Sequence, residues 1–172
     1  MKKLLALILL VALLFGGWYI ASPWLAMKSL ADAAQAGDTA ALEEQVDFPA
    51  LRASAAEQIT EAARRQQAEG GVMGRIGGEI LQRVGPEMTE RMLTPDAMGN
   101  VVMVGGLAAG LLPERLRGQE LSWDVQRDGL DHFTAEGTFE DGSTGPDLIF
   151  ARDGIGWKLT GFRLNDPDEP RE

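Results

Sequence analysis

The stretch that decides the fold is "HFTAEGTFEDGSTGPDLIFARDGIGWKLTGFRL", residues 132–164. Its first run places apolar or small residues at every second position, namely Phe133, Ala135, Gly137 and Phe139. A period of two residues is typical of a β-strand with one buried face. Asp-Gly pairs at 141–142 and 153–154 follow the first and second runs, where hairpin turns are expected. The stretch therefore predicts three strands joined by short turns.

A further strand is expected just before this stretch. The segment "ELSWDVQ", residues 120–126, alternates Leu121, Trp123 and Val125 with polar residues. Another Asp-Gly pair, Asp128-Gly129, separates it from the next run. We therefore predict a four-stranded antiparallel sheet over residues 120–164.

Helical spacing replaces the two-residue period upstream of the strands. Apolar residues recur every three or four positions and predict two helix stripes: Trp24, Met27, Leu30, Ala31 and Ala34, then Leu51, Ala55, Ile59 and Ala62. Pro23 is suited to a helix start, and Gly37 to its end. Asp38 is expected to cap a second helix from Thr39 to Val46. Asp47 is expected to begin a third helix that runs to about Gln67.

The sequence between the third helix and the strands is first rich in glycine and later apolar. Gly70 to Gly78 is rich in glycine, which predicts either a helix that depends on tertiary packing or a mobile segment. Thr94-Pro95 is a strong helix-start signal. Residues 97–112, "AMGNVVMVGGLAAGLL", carry no charge. Apolar runs of this length are usually core, so we expect a buried helix and loop over the sheet. The alternatives are a flap over a ligand cavity or a patch in the bilayer.

This order of elements predicts an α+β fold, in which several short helices pack on one face of an antiparallel sheet. The cone-shaped cystatin-like and NTF2-like folds are similar in having helices before a curved sheet. The analogy concerns the fold and carries no function.

The N-terminal segment predicts a transmembrane helix. Residues 4–20, "LLALILLVALLFGGWYI", are without charge and rise about 25 Å as a helix. Trp18, Tyr19 and Trp24 gather at its far end, as expected at a membrane interface. A cleaved signal peptide is the alternative. It is disfavoured because cleavage after Ala21 would place bulky Tyr19 where a small residue is required.

The flanking charges predict the orientation of this helix. Lys2 and Lys3 precede it, whereas Lys28 is the first basic residue after it. The positive-inside rule therefore places the N-terminus in the cytoplasm. We expect a single-pass protein of the cytoplasmic membrane, with its domain in the periplasm or outside the cell.

Composition makes several functions improbable. The formal net charge is −10, which repels phosphate backbones, so we expect no nucleic-acid partner. The chain has no cysteine, which removes disulfides and thiolate catalysis. Acidic residues crowd the turns, but their spacing is not that of a calcium-binding loop, and we expect neither a metal nor a cofactor.

Candidate catalytic residues are few. His132, the single histidine, follows Asp131, which could orient it as a general base. A histidine beside a turn is more often a surface residue, and no nucleophile elbow or phosphate-binding loop accompanies it. Both residues are therefore weak candidates.

Three segments together resemble a known family. They are "SPWLAMKSLADAAQAGDTAALEEQVDFPALR" at 22–52, "TPDAM" at 94–98 and "WKLTGFRL" at 157–164. With the preceding apolar span, they are similar to the bacterial domain-of-unknown-function family 2939. The resemblance implies a membrane-associated small α+β protein and assigns no catalytic residue.

The predicted organisation is an anchor or signal at 1–22, one α+β domain at 23–164 and a disordered acidic tail at 165–172. Within the domain, helices are expected over 23–112 and strands over 120–164. The favoured function is a non-enzymatic binding or interaction module. It would contact a partner protein or an apolar ligand through the cone mouth or a set of apolar residues: Val101, Val104, Leu107, Leu111 and Leu112. The alternatives are a small hydrolase, isomerase or dehydratase using His132, and a structural component of the cell envelope.

Overall fold

The computed structural model of the chain describes residues 2–69, 78–80, 83–85, 87, 91, 93–97 and 121–165. The named helices are α1 (Lys2–Ala36), α2 (Thr39–Gln45) and α3 (Phe48–Glu69). The strands are β1 (Leu121–Asp128), β2 (His132–Phe139), β3 (Thr144–Asp153) and β4 (Gly156–Arg163). Helices lead and strands follow, so the predicted α+β fold is confirmed.

The first helix differs from the expectation that a new helix begins at Pro23. α1 is one continuous helix of 35 residues, and Pro23 lies inside it. Proline has no N–H and interrupts a helix unless the carbonyl four residues earlier finds another donor. Here that carbonyl belongs to Tyr19 and accepts hydrogen bonds from two side chains. The apolar segment and the first helix of the domain are therefore one element.

The ends of the helices follow their predicted signals. Gly37 has φ 64°, and its N–H donates to Ala34 O while the N–H of Asp38 donates to Ala33 O. This pair of bonds closes α1 in a Schellman motif. The carboxylate of Asp38 accepts from the N–H of Ala41, and that of Asp47 accepts from the N–H of Ala50. Both residues are N-caps, as predicted.

The strands form one antiparallel sheet in the order β1-β2-β3-β4. Asp128 pairs with His132 across the first turn, and Asp153 pairs with Gly156 across the third. The predicted four-stranded meander is confirmed. A cystatin-like or NTF2-like cone stays a prediction.

The core lies between the three helices and one face of the sheet. Phe133 stacks on Phe150 with ring centroids 4.5 Å apart, and the Trp157 ring meets Phe133 edge-on at 4.8 Å. The helices cover these rings with Leu30, Ala33 and Ala34 from α1, Leu42 and Val46 from α2 and its C-cap, and Phe48 and Leu51 from α3. Burying such large side chains is the main source of stability.

Burial departs from the predicted helix stripes at a few positions. On α1, Ala33 is buried and Ala31 is exposed, whereas the predicted stripe held Ala31. On α3, Ala63 is buried and Ala62 is exposed, whereas the predicted stripe held Ala62. The spacing alone was compatible with either neighbour, and tertiary packing decides between them.

α3 is joined to the edge strand β4 by two hydrogen bonds of one serine. The Oγ of Ser54 donates to Phe162 O at 3.0 Å and accepts from Phe162 N at 3.2 Å. Before α3, Val46 forms a parallel bridge with Leu159, and the N–H of Asp47 donates to Leu159 O at 2.9 Å. The edge strand β4 is thereby covered by other parts of the chain, which protects it from pairing with another molecule.

The predicted helix start at Thr94 lies within the described residues. Thr94 is the expected cap, because its Oγ1 accepts from the N–H of Ala97 at 3.2 Å. The glycine-rich residues 70–77, the apolar run 98–112 and the acidic tail from 166 onward lie outside the described residues.

Candidate functional site

In the described part of the chain, a polar cluster that joins distant segments lies where α1 leaves its apolar segment and meets the sheet. We call this cluster the junction. It consists of Tyr19, Ser22, Arg127, Arg152 and Trp157.

The junction compensates for Pro23. Because Pro23 lacks an N–H, the carbonyl of Tyr19 has no backbone donor in the helix. Nη2 of Arg127, on β1, donates to Tyr19 O and to Ile20 O, both at 2.9 Å. The Oγ of Ser22, within the helix, donates to Tyr19 O at 3.1 Å. Two side chains, one from the sheet and one from the helix itself, thus replace the missing backbone donor.

Ser22 also connects the helix to the core. Its Oγ accepts from Trp157 Nε1 at 3.0 Å, and this hydrogen bond is buried. Ser22 is 4% exposed and Trp157 is 7% exposed. A buried indole N–H needs an acceptor, so this pair fixes the rotation of α1 about its axis.

Two arginines hold the ring of Tyr19 against the sheet. The guanidinium carbons of Arg127 and Arg152 lie 4.7 Å and 5.4 Å from the centre of that ring. Arg152 also lies 4.0 Å from the ring of Trp157, within the range of a cation–π interaction. Nη2 of Arg152 is buried and makes no hydrogen bond within the described part of the chain. The stacking therefore contributes to holding this guanidinium in place.

The predicted interfacial aromatics divide into two kinds. Trp18 and Trp24 are 51% and 50% exposed, open to their surroundings. Tyr19 is half-buried, and its Oη donates to Gly129 O at 3.4 Å. Tyr19 therefore serves the contact between helix and sheet.

His132 and Asp131 lie at the start of β2 and in the turn before it, and both are exposed. An exposed imidazole lacks the surrounding protein that usually orients a catalytic base. The predicted binding residues Val101, Val104, Leu107, Leu111 and Leu112 lie outside the described residues.

The acidic residues near the turns are dispersed among separate partners. Asp147 is buried, and its Oδ2 lies 3.5 Å from Nη1 of Arg163. Asp153 pairs with Lys158 at 3.1 Å. Within the described ranges, no group of three or more acidic or histidine side chains could hold a metal ion.

Sequence reasoning missed Arg127, Arg152 and Ser22. Each has a partner more than a hundred residues away in the chain: Tyr19 for both arginines and Trp157 for Ser22. One local signal was present, because a proline within a long helical pattern requires a donor from elsewhere.

The fold and the junction define a small α+β protein whose apolar N-terminal helix is built into its domain. In the described part of the chain, α1 is the one helix that is long and apolar enough to cross a membrane, and a signal sequence would meet the same criterion. Residues 12–101 match the model of the family described as "Protein of unknown function (DUF2939)". This range is just over half of the chain, and the chain belongs to that family.

The matched range includes most of α1 together with α2 and α3, and it ends before β1. No curated protein and no solved structure matches the chain. The family resemblance thus concerns the helices and the helix side of the junction.

Proposed function

We propose that the chain is a single-pass membrane protein whose N-terminal helix holds a non-enzymatic binding or interaction domain at the outer face of the cytoplasmic membrane. The observation that carries this proposal is the continuity of α1. Its first part exposes large apolar side chains, such as Leu13 at 71% and Phe15 at 72%, and its last part lies in the core. Exposed apolar surface of this extent requires a nonpolar partner, and a bilayer provides one.

The junction favours an uncleaved anchor over a signal peptide. Cleavage after Ala21 would remove Tyr19 and with it the contacts to Arg127, Arg152 and Gly129. A segment that is discarded after export has no need of such contacts with the mature domain.

Two observations support a binding role over catalysis. His132 is exposed, and the hydrogen bonds of Arg127 and Ser22 in the junction join parts of the chain to one another. The apolar run from Val101 to Leu112 remains our proposed contact for a partner protein or an apolar ligand. The proposed organisation keeps one domain up to residue 164, followed by the acidic tail.

The anchor is tested by expressing the full chain in a bacterium with two membranes. We expect the protein to remain in the membrane after an alkaline carbonate wash and its intact mass to include the N-terminal segment. A shortened mass that begins near Ser22, with protein in the soluble periplasmic fraction, would overturn the anchor.

The orientation is tested with single cysteines at Lys3 and Glu140, since the chain has no cysteine of its own. A membrane-impermeant maleimide added to cells with a permeabilised outer membrane should label Glu140→Cys and leave Lys3→Cys unlabelled. The reverse pattern would place the domain in the cytoplasm.

The binding role is tested by native mass spectrometry of the full chain, purified in detergent from its own host's envelope. A co-purifying protein or lipid that is lost when Val104 and Leu107 are replaced by aspartate supports the module. Hydrolysis or isomerisation of a substrate, lost in His132→Ala, would instead establish the enzyme.

A further inference from the structure

The hairpin turns are arranged unequally about the sheet. In the antiparallel order β1-β2-β3-β4, the turn at 129–131 and the turn at 154–155 lie at one end, which we call the near end. The turn at 140–143 lies at the opposite, far end.

The near end is the one that contacts the apolar helix. Tyr19 Oη donates to Gly129 O in the first turn. Arg152 Nε donates to Leu130 O at 3.3 Å, and its Nη1 donates to Ile155 O at 3.4 Å. The same guanidinium lies 5.4 Å from the Tyr19 ring. Arg152 thus bonds to both turns and holds them beside Tyr19, where the apolar segment ends.

Each near-end turn presents a large aliphatic side chain to its surroundings. Leu130 is 69% exposed and Ile155 is 83% exposed. Turn geometry does not require them. Gly154, with φ 59°, supplies the positive φ of a two-residue hairpin, and the residue after it is usually polar. The far-end turn is polar or glycine throughout, with Glu140, Asp141, Gly142 and Ser143.

Charge also distinguishes the near end from the whole chain. Three basic and three acidic side chains lie on or beside its turns, and their formal charges cancel: Arg127, Arg152, Lys158, Asp128, Asp131 and Asp153. The chain as a whole carries −10. An anionic membrane surface would repel most of this protein, but it would not repel the near end.

We propose that Leu130 and Ile155 insert into the interfacial layer of the same bilayer that holds α1. The inference rests on the proposed membrane anchor, because the apolar segment brings both turns to the depth of the lipid headgroups. Aliphatic side chains on short turns gain from burial at the boundary between headgroups and acyl chains. The domain would then contact the bilayer at three points: the helix and the two turns.

The test uses the cysteine-free full chain with one cysteine at a time. Leu130→Cys and Ile155→Cys report on the turns, Leu14→Cys on the anchor, and Glu140→Cys on the far end. Each variant is labelled with a polarity-sensitive fluorophore and reconstituted into vesicles of phosphatidylethanolamine with a minor share of phosphatidylglycerol. Nitroxide-labelled lipid in the same vesicles quenches a fluorophore that touches the bilayer.

We expect quenching at residues 130 and 155 to be several-fold stronger than at residue 140, with the emission shifted to shorter wavelength. If residue 14 is quenched and residues 130 and 155 behave like 140, the anchor stands and the insertion is wrong. If 130 and 155 shift to shorter wavelength without quenching, a protein contact covers the turns, which also overturns insertion. If residue 14 is not quenched, the anchor itself fails and the insertion fails with it.

Folding is checked independently, because a label on a turn must not disturb the sheet. The substituted side chains are exposed, so thermal unfolding of each labelled variant in detergent should match that of the parent chain. The double variant Leu130→Ser, Ile155→Ser, labelled at Gln126→Cys near the same turns, should lose the quenching that Gln126→Cys alone shows. Retained quenching would overturn the role of the two aliphatic side chains.

Discussion

The hydrogen bond between Ser22 and Trp157 should contribute measurably to the stability of the fold. Ser22→Ala leaves the buried indole N–H without its acceptor. We expect a loss of about 1–3 kcal/mol in the free energy of unfolding. The measurement is chemical unfolding of the full chain in detergent micelles, followed by circular dichroism.

The matched control for Ser22 lies on the same helix. Ser29 is exposed, and Ser29→Ala should change the free energy of unfolding by less than about 0.5 kcal/mol. Equal losses in the two variants would show that the bond to Trp157 does not explain the effect, because alanine favours the helix more than serine does.

Gly161 is a second position where one atom matters. A Cβ there would lie 2.9 Å from Ser54 Oγ and 3.2 Å from Ser54 Cβ. The hydroxyl cannot turn away without losing both of its bonds to Phe162. Gly161→Ala should therefore destabilise the protein by about 1–3 kcal/mol in the same unfolding measurement.

Gly156 provides the comparison for Gly161 on the same strand. A Cβ at Gly156 would have its nearest neighbour, Asp153 O, at 3.6 Å, which is ordinary contact. Gly156→Ala should leave the free energy of unfolding nearly unchanged. A loss as large as that of Gly161→Ala would point to a general intolerance of alanine in β4.

In α1, the effects of Pro23 and Arg127 on stability should be coupled. In the parent chain, Arg127→Met removes one of the two side-chain donors to Tyr19 O and should lower the free energy of unfolding by about 1 kcal/mol. In a Pro23→Ala background, the restored N–H of residue 23 can satisfy that carbonyl. The same arginine substitution should then have a smaller effect.

This coupling is measured as a double-mutant cycle, with all variants unfolded in the same detergent. A loss upon Arg127→Met that is equal in both backgrounds would show that the arginine does not compensate for the proline. The stacking of Arg127 on Tyr19 is unchanged by Pro23→Ala, so it cancels in the cycle.

The elements themselves were largely predictable because their signals are local. The alternation at Phe133, Ala135 and Phe139 marked β2, and Asp38 and Asp47 marked helix starts. The continuity of α1 through Pro23 could not be predicted, because it depends on Arg127, which lies 108 residues from Tyr19. Secondary structure follows neighbours in sequence, whereas the junction follows neighbours in space.

In the molecule as a whole, the junction includes residues that precede residue 23, where the sequence predicts that the domain begins. Tyr19 bonds to the first turn and Ser22 to Trp157 of the sheet. A chain truncated to begin at Trp18 should therefore be more stable than one truncated to begin at Leu25. We expect the midpoint of thermal unfolding to differ by about 5 °C or more.

Both truncated chains are compared in the same buffer by circular dichroism. Equal midpoints would support the predicted domain boundary after Ser22. Aggregation of the longer chain alone would show that Trp18 and Ile20, both exposed, need lipid or detergent.

α1 runs without a break from the apolar segment into the core, and this continuity limits where the domain can contact a partner. With α1 in a bilayer, residues 21–36 would extend about 24 Å above it. No flexible linker separates the apolar part of α1 from the part that packs in the core. In the proposed anchored arrangement, the domain would be confined to a thin layer and would meet partners in the same membrane by lateral diffusion. The fraction of the domain bound to a partner would then depend on the number of partner copies per unit area of membrane. Confinement to the membrane makes that number equivalent to a high local concentration.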